Sequence, residues 1–131
     1  MKKLFALLGI LSLVLAGEPR IYSGLTLDEA LQAARTSHKT VLVKFHADWC
    51  HFCRAMDQNT FSDAAVTEAL QDYIVVKVNV DTPNGRVWAG SYDVAGLPTV
   101  MVLDANGNVL YRHAGYQGPR KLLASLASAR E

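Results

Sequence analysis

Val41-Leu42-Val43-Lys44-Phe45-His46-Ala47-Asp48-Trp49-Cys50-His51-Phe52-Cys53 contains both cysteines of the chain, placed directly behind an apolar, β-branched run. The run reads as a strand over residues 41–46, nearly all apolar and therefore central and covered on both faces. A helix is expected to start at His51 and run to about residue 58. A strand that delivers Cys-x-x-Cys into the first turn of a helix puts the first thiol where unpaired backbone N–H groups and the helix dipole favour a thiolate. Positions i and i+3 share one helical face, so the second thiol can close a disulfide with the first. One thiolate attacks and the other resolves, which is the layout of a two-electron redox site.

Outside this stretch, 131 residues suffice for one domain with one core, and a half-hydrophobic, 19% charged composition is that of a globular chain. The formal charge is +1; taking out Lys2 and Lys3 leaves 11 basic against 12 acidic residues, a balance of −1. No basic field points to nucleic acid. Lys2 and Lys3 head an apolar segment over residues 4–15, and Val14-Leu15-Ala16 has the small-residue pattern of a cleavage site. Residues 1–16 are therefore expected to be an export signal, residues 17–24 a connector and residues 25–131 the domain. A dozen apolar residues is too short to span a hydrocarbon core of about 30 Å. The cleaved protein would be periplasmic or secreted, where disulfides persist.

Arg20-Ile21-Tyr22 reads as a short edge strand. Thr26-Leu27-Asp28-Glu29 is a capping box opening a helix to about Ser37, with Leu27, Ala30, Leu31 and Ala34 on one face. Downstream come a helix over residues 62–71 capped by Ser62 and a strand over 74–80. Residues 81–85 read as a turn on composition, followed by a short helix over 86–92 that offers Val87 and Trp88 to the core. Strands over 100–103 and 109–112 flank Asn106-Gly107, the signature of a hairpin with a type I′ turn. Gly118-Pro119 opens a last helix facing inward through Leu122, Leu123 and Leu126. The order of elements predicts an α/β fold: a mixed central sheet, helices on both faces, and a C-terminal antiparallel hairpin plus helix.

Trp49-Cys50-x-x-Cys53 together with Gly96-Leu97-Pro98-Thr99 resembles the thioredoxin superfamily, and the likeness covers about residues 25–129. Asp48-Trp49-Cys50 and the stretch from Met56 to Phe61-Ser62-Asp63 resemble an exported branch that includes the periplasmic C-terminal domain of the membrane thiol:disulfide interchange reductase. The resemblance implies a thioredoxin-like fold and a cis bond before Pro98, placing the Leu97-Pro98-Thr99 loop beside the cysteines. There the Leu97 backbone would pair with an extended substrate segment. It also exposes a departure. Thioredoxins carry a buried acid where Lys44 stands, and Lys77 takes the place of that acid's lysine neighbour. Two ammonium groups under the disulfide disfavour each other and their burial, so that Lys44 becomes a proton acceptor or the pair favours thiolate.

Cys50 is thus the expected nucleophile and Cys53 the resolving thiol. His51, when protonated, would stabilise the Cys50 thiolate; Phe52 and Trp49 would pack at the turn or face the substrate. Two other readings stay open. Cys50, Cys53 and His51 could carry Cu(I) or Zn(II), although no second cysteine pair completes a closed site; or the fold could be a non-catalytic binding module. A permanent disulfide closing so small a loop would be a poor staple. His38, His46 and His113 lack partners at ligand spacing, Tyr111 and Tyr116 read as packing residues, and Asp48 as an exposed rim acid. The expectation is a monomeric, extracytoplasmic thiol–disulfide oxidoreductase that needs no cofactor beyond its cysteine pair and no resident metal. It would act on protein disulfides or dithiols, slightly favouring reduction, with a redox partner protein that the resemblance makes either a membrane or a soluble electron donor.

Overall fold

The computed structural model describes Ile21, Tyr22 and residues 24–130. The expected export signal over residues 1–16, Arg20 and most of the connector lie outside those residues. Among them no helix is long and apolar enough to cross a membrane.

Five strands form one sheet among the described residues, in the order β1-β3-β2-β4-β5. β1 (Ile21–Tyr22) lies at one edge, parallel to β3 (Tyr73–Asn79), which runs parallel to β2 (Thr40–His46). β4 (Thr99–Leu103) is antiparallel to β2, and β5 (Val109–Ala114) is antiparallel to β4. The apolar run quoted above is therefore the central strand. Its alternation divides the core in two. Val41, Val43 and Phe45 join Leu27, Ala30 and Ala34 of α1 (Leu27–Ser37) and, at its margin, Trp88 of α4 (Pro83–Ser91). Leu42 faces the opposite side, against Met56 of α2 (His51–Asn59), Val66 of α3 (Ala64–Ala69), and Leu122 and Leu126 of α5 (Pro119–Ala129). Lys44 stands beside Leu42 on that second face and is buried there.

α1 begins as its capping box prescribes: the Glu29 N–H donates to Thr26 Oγ1 (3.2 Å) and the Thr26 N–H to Glu29 Oε2 (3.0 Å). Other boundaries differ from the sequence reading. α3 is capped by Asp63, whose carboxylate accepts from Ala65 and Val66, whereas the Ser62 hydroxyl turns back to the Gln58 carbonyl at the end of α2. The helix is also shorter than expected, passing into a 3-10 turn at Leu70–Asp72. Residues 83–85 belong to α4 rather than to a turn. Thr82 caps it by accepting from Gly85 (3.0 Å), and Pro83 occupies the first turn, where no N–H partner is needed. Val87 is exposed, so Trp88 alone of that pair packs inward. The Asn106-Gly107 loop is not type I′, which requires positive φ at both central residues. Here Gly107 (φ 84°) alone of the two is left-handed, and Asp104 accepts from the Asn106 and Asn108 N–H groups, widening the loop. Tyr116 is exposed rather than packed.

Candidate active site

β2 ends at His46, and Ala47, Asp48 and Trp49 carry the chain to the N-terminus of α2. Cys50 is the N-cap of that helix. Its sulfur accepts the Cys53 backbone N–H (3.2 Å), while its carbonyl accepts the Arg54 N–H (3.2 Å). The sulfur thus takes the place an N-cap oxygen usually fills, at the positive end of the helix dipole. Cys53 lies one turn on, with Cα atoms 5.2 Å apart and the two sulfurs joined as a disulfide. Arg54 Nη1 donates to the Asp48 carbonyl (2.6 Å), closing the turn from outside, and Asp48 lies on the rim.

Around the disulfide the surface is apolar. Trp49 and Phe52 are 68% and 60% exposed, and Trp49 is tethered through its indole N–H to Asp81 (2.8 Å). His51 is exposed with its ring edge-on to Phe52, centroids 5.6 Å apart. With Leu97 and Val94, these residues line an open groove of about 420 Å³ that reaches Cys50. Leu97 packs against the buried trio Ala47, Cys50 and Cys53. The Leu97–Pro98 peptide is cis. Pro98 O accepts from Gly115 N–H (2.7 Å), and Thr99 Oγ1 donates to Gly96 O (2.6 Å), which pins the loop beside the cysteines.

Beneath the disulfide lies what the sequence reading half saw. Lys44 and Lys77 are register partners on adjacent strands. Between them stands Asp57, a residue not singled out from sequence. Lys44 Nζ donates to Asp57 Oδ1 and to the Cys53 carbonyl (3.0 Å), and Lys77 Nζ donates to Asp57 Oδ2 (2.9 Å). Lys44 is cut off from water: it is 1% exposed, with its ammonium 5.4 Å from the Phe61 ring centre. Burial pushes the Lys44 ammonium below its ordinary value, outweighing the attraction of Asp57, and Lys77 adds to the lowering. Burial works to raise Asp57, but the hydrogen bonds and charges of the two lysines overcome it and hold the carboxyl below the usual range. His46 is lowered by burial first and then by Lys77 and Lys44. The signal for Asp57 was in the sequence. It follows Cys53 by four residues, hence lies on the same face of α2 one turn further on.

Among the described residues no group of three or more His, Cys, Asp or Glu side chains is placed to hold a metal ion. His51, the third candidate ligand, points to Phe52 instead.

A family model described as thioredoxin-like matches residues 20–105. Among curated proteins, a thiol:disulfide interchange protein DsbD of Ralstonia nicotianae is 34% identical over 113 residues, covering 84% of this chain and 19% of that protein. A DsbD of Salmonella paratyphi A is 40% identical over 85 residues, 63% of this chain and 15% of that protein. The chain thus spans less than a fifth of these relatives. Among solved structures, a thioredoxin from Thermus thermophilus superposes with a TM-score of 0.73 at 30% identity, covering 79% of this chain and 83% of that one. The DsbD C-terminal domain of Neisseria meningitidis in its reduced form gives a TM-score of 0.67 at 25% identity, covering 79% of this chain and 94% of that domain.

Proposed function

Because this chain belongs to the thioredoxin-like family, we propose that it is an extracytoplasmic thiol–disulfide oxidoreductase whose Cys50–Cys53 pair exchanges with protein disulfides or dithiols, the reductive direction being slightly favoured. The observation that carries this reading is the Cys50 sulfur at the N-cap of α2, bonded to its mate one turn on and opening on an apolar groove. In the dithiol state, the Cys50 thiolate attacks one sulfur of a substrate disulfide. A Cys50–substrate disulfide forms and the other substrate sulfur leaves as thiolate. Cys53 then attacks Cys50 Sγ, the second substrate sulfur departs, and the two electrons have passed from the pair to the substrate.

Trp49, Phe52 and the groove wall receive apolar side chains flanking the substrate cysteine, and the backbone at Leu97 pairs with the extended substrate. The pair itself is the redox group, with no further cofactor required. The reductive direction is drawn from the resemblance of Asp48-Trp49-Cys50 and of the stretch from Met56 to Asp63 to the exported reductase branch, and it implies a dithiol donor that re-reduces the pair. Residues 1–16 supply the export signal and take the protein to the periplasm or beyond as a monomer. Turbidimetric reduction of insulin, run beside metal analysis of the purified protein, tests the proposal. Catalysis by the metal-free protein that is lost in Cys50→Ala supports it. Failure to reduce insulin together with tightly bound copper or zinc would turn the reading to a metal carrier, and partner binding that survives loss of both cysteines would turn it to a binding module.

A further inference from the structure

Two cations and one anion lie under the resolving cysteine. Lys44 from β2 and Lys77 from β3 share the single carboxylate of Asp57 from α2, and Lys44 also reaches the Cys53 carbonyl. β4 contributes only apolar Val100 at the paired position, and His46, further along β2, is biased toward its uncharged form by burial and by the same lysines. Asp48, the other nearby acid, is on the exposed rim. With Asp57 ionised and both lysines protonated, the cluster carries one uncompensated positive charge. Its best-buried member touches the residue whose sulfur must alternate between disulfide and thiolate.

We propose that Lys44 is a positioning residue for Cys53: held at the Cys53 carbonyl, its ammonium stabilises the Cys53 sulfur as thiolate and makes the Cys50–Cys53 disulfide easier to reduce. This rests on the exchange reading above and gives position 44 a sign opposite to that of the acid expected there from the resemblance. When a donor thiolate attacks Cys50 Sγ, the Cys50–Cys53 bond breaks, a donor–Cys50 disulfide forms, and Cys53 Sγ leaves with the electron pair, on the residue whose carbonyl the ammonium holds. The donor's second thiolate then attacks the donor sulfur of that mixed disulfide, releasing Cys50 as thiolate and leaving the donor oxidised by two electrons. A positive charge near the leaving sulfur lowers its basicity, which favours both its departure and the reduced state.

The test is a glutathione redox titration of the parent, Lys44→Met, Lys44→Arg, Lys77→Met and Asp57→Asn, with folding followed by circular dichroism. Lys44→Met should shift the equilibrium about tenfold toward disulfide, about 30 mV more negative. In a Cys50→Ser background the same substitution should move Cys53 alkylation to higher pH. Lys44→Arg should restore the parent value, and Lys77→Met should shift it in the direction of Lys44→Met. Asp57→Asn breaks the same ion pairs but removes negative charge, so its equilibrium should not move toward disulfide. Should Lys44→Met fail to fold, Lys77→Met, whose side chain is 22% exposed, carries the same sign test. An unshifted Lys44→Met, or an Asp57→Asn that moves with it, overturns the inference while leaving the exchange reading intact. A parent protein that exchanges with no thiol at all overturns the exchange reading, and this one with it.

Discussion

Cys50 and Cys53 differ in surroundings although they are bonded to each other. Cys50 caps the helix and borders the groove, whereas Cys53 packs over Lys44 with its carbonyl held from below. The proposed division into attacking and resolving thiol rests on that asymmetry. Cys53→Ser should therefore accumulate a mixed disulfide with substrate proteins, visible as adducts on non-reducing gels, and Cys50→Ser should form none. Asp57 gives a second prediction at this scale. Its folded value lies below the ordinary 3.8, so its ionised form stabilises the protein above that pH, and the contribution is lost as pH falls through the folded value. Denaturant midpoints of Asp57→Asn should thus fall below the parent's at pH 7, with the gap closing in the acid range. Lys44 acts in the alkaline window. Between its lowered folded value and 10.5 the unfolded chain holds more protons, so its contribution to stability rises with pH there. The lysines were legible through the resemblance, which puts Lys44 in the place of a buried acid and Lys77 in that of its lysine neighbour. Their carboxylate was not, because it arrives from another element and only its spacing from Cys53 announces it.

At the scale of elements, local chemistry decided what was readable. The Thr26 box and Pro119 at a helix start are self-contained signals, and α1 and α5 begin where those signals put them. Thr26→Ala should cost about 1 kcal/mol in urea unfolding. Residues 82–85 misled because Thr, Pro, Asn and Gly suit a turn as well as a helix start. What settles them is the close approach of α4 to the end of β3. A Cβ on Gly85 would stand 1.8 Å from the Asn79 carbonyl oxygen. Gly85→Ala should accordingly destabilise the fold by about 1–3 kcal/mol or more, read from denaturant midpoints, and loosen the wall of the groove that α4 supplies through Ala89. The Asn106-Gly107 pair failed in the other direction. Its hairpin signature is genuine, but Asp104 captures the Asn106 and Asn108 amides and sets a wider loop.

For the whole molecule, the order of helices and strands was enough to predict a mixed sheet with helices on both faces, since alternation along β2 demands a cover on each side. It did not show that the two covers have unequal tasks. The α1 side is an apolar core, whereas the α2 side combines a core with a buried charge cluster reaching the disulfide. Leu122→Ala, fully buried at the α5 end of that second side, should cost about 2–5 kcal/mol in urea unfolding, and it leaves the cysteines untouched. In the proposed function the fold carries the Cys50 sulfur to the N-terminus of α2 as an exchanging nucleophile. Alkylation of the fully reduced protein by iodoacetamide across pH 5–9, with the modified residue mapped by mass spectrometry, tests this most directly. The expected result is rapid, selective reaction of Cys50 near pH 6, about tenfold or more faster than free cysteine, with Cys53 slow. Two thiols reacting alike, with the free-cysteine midpoint of about 8.5, would contradict it.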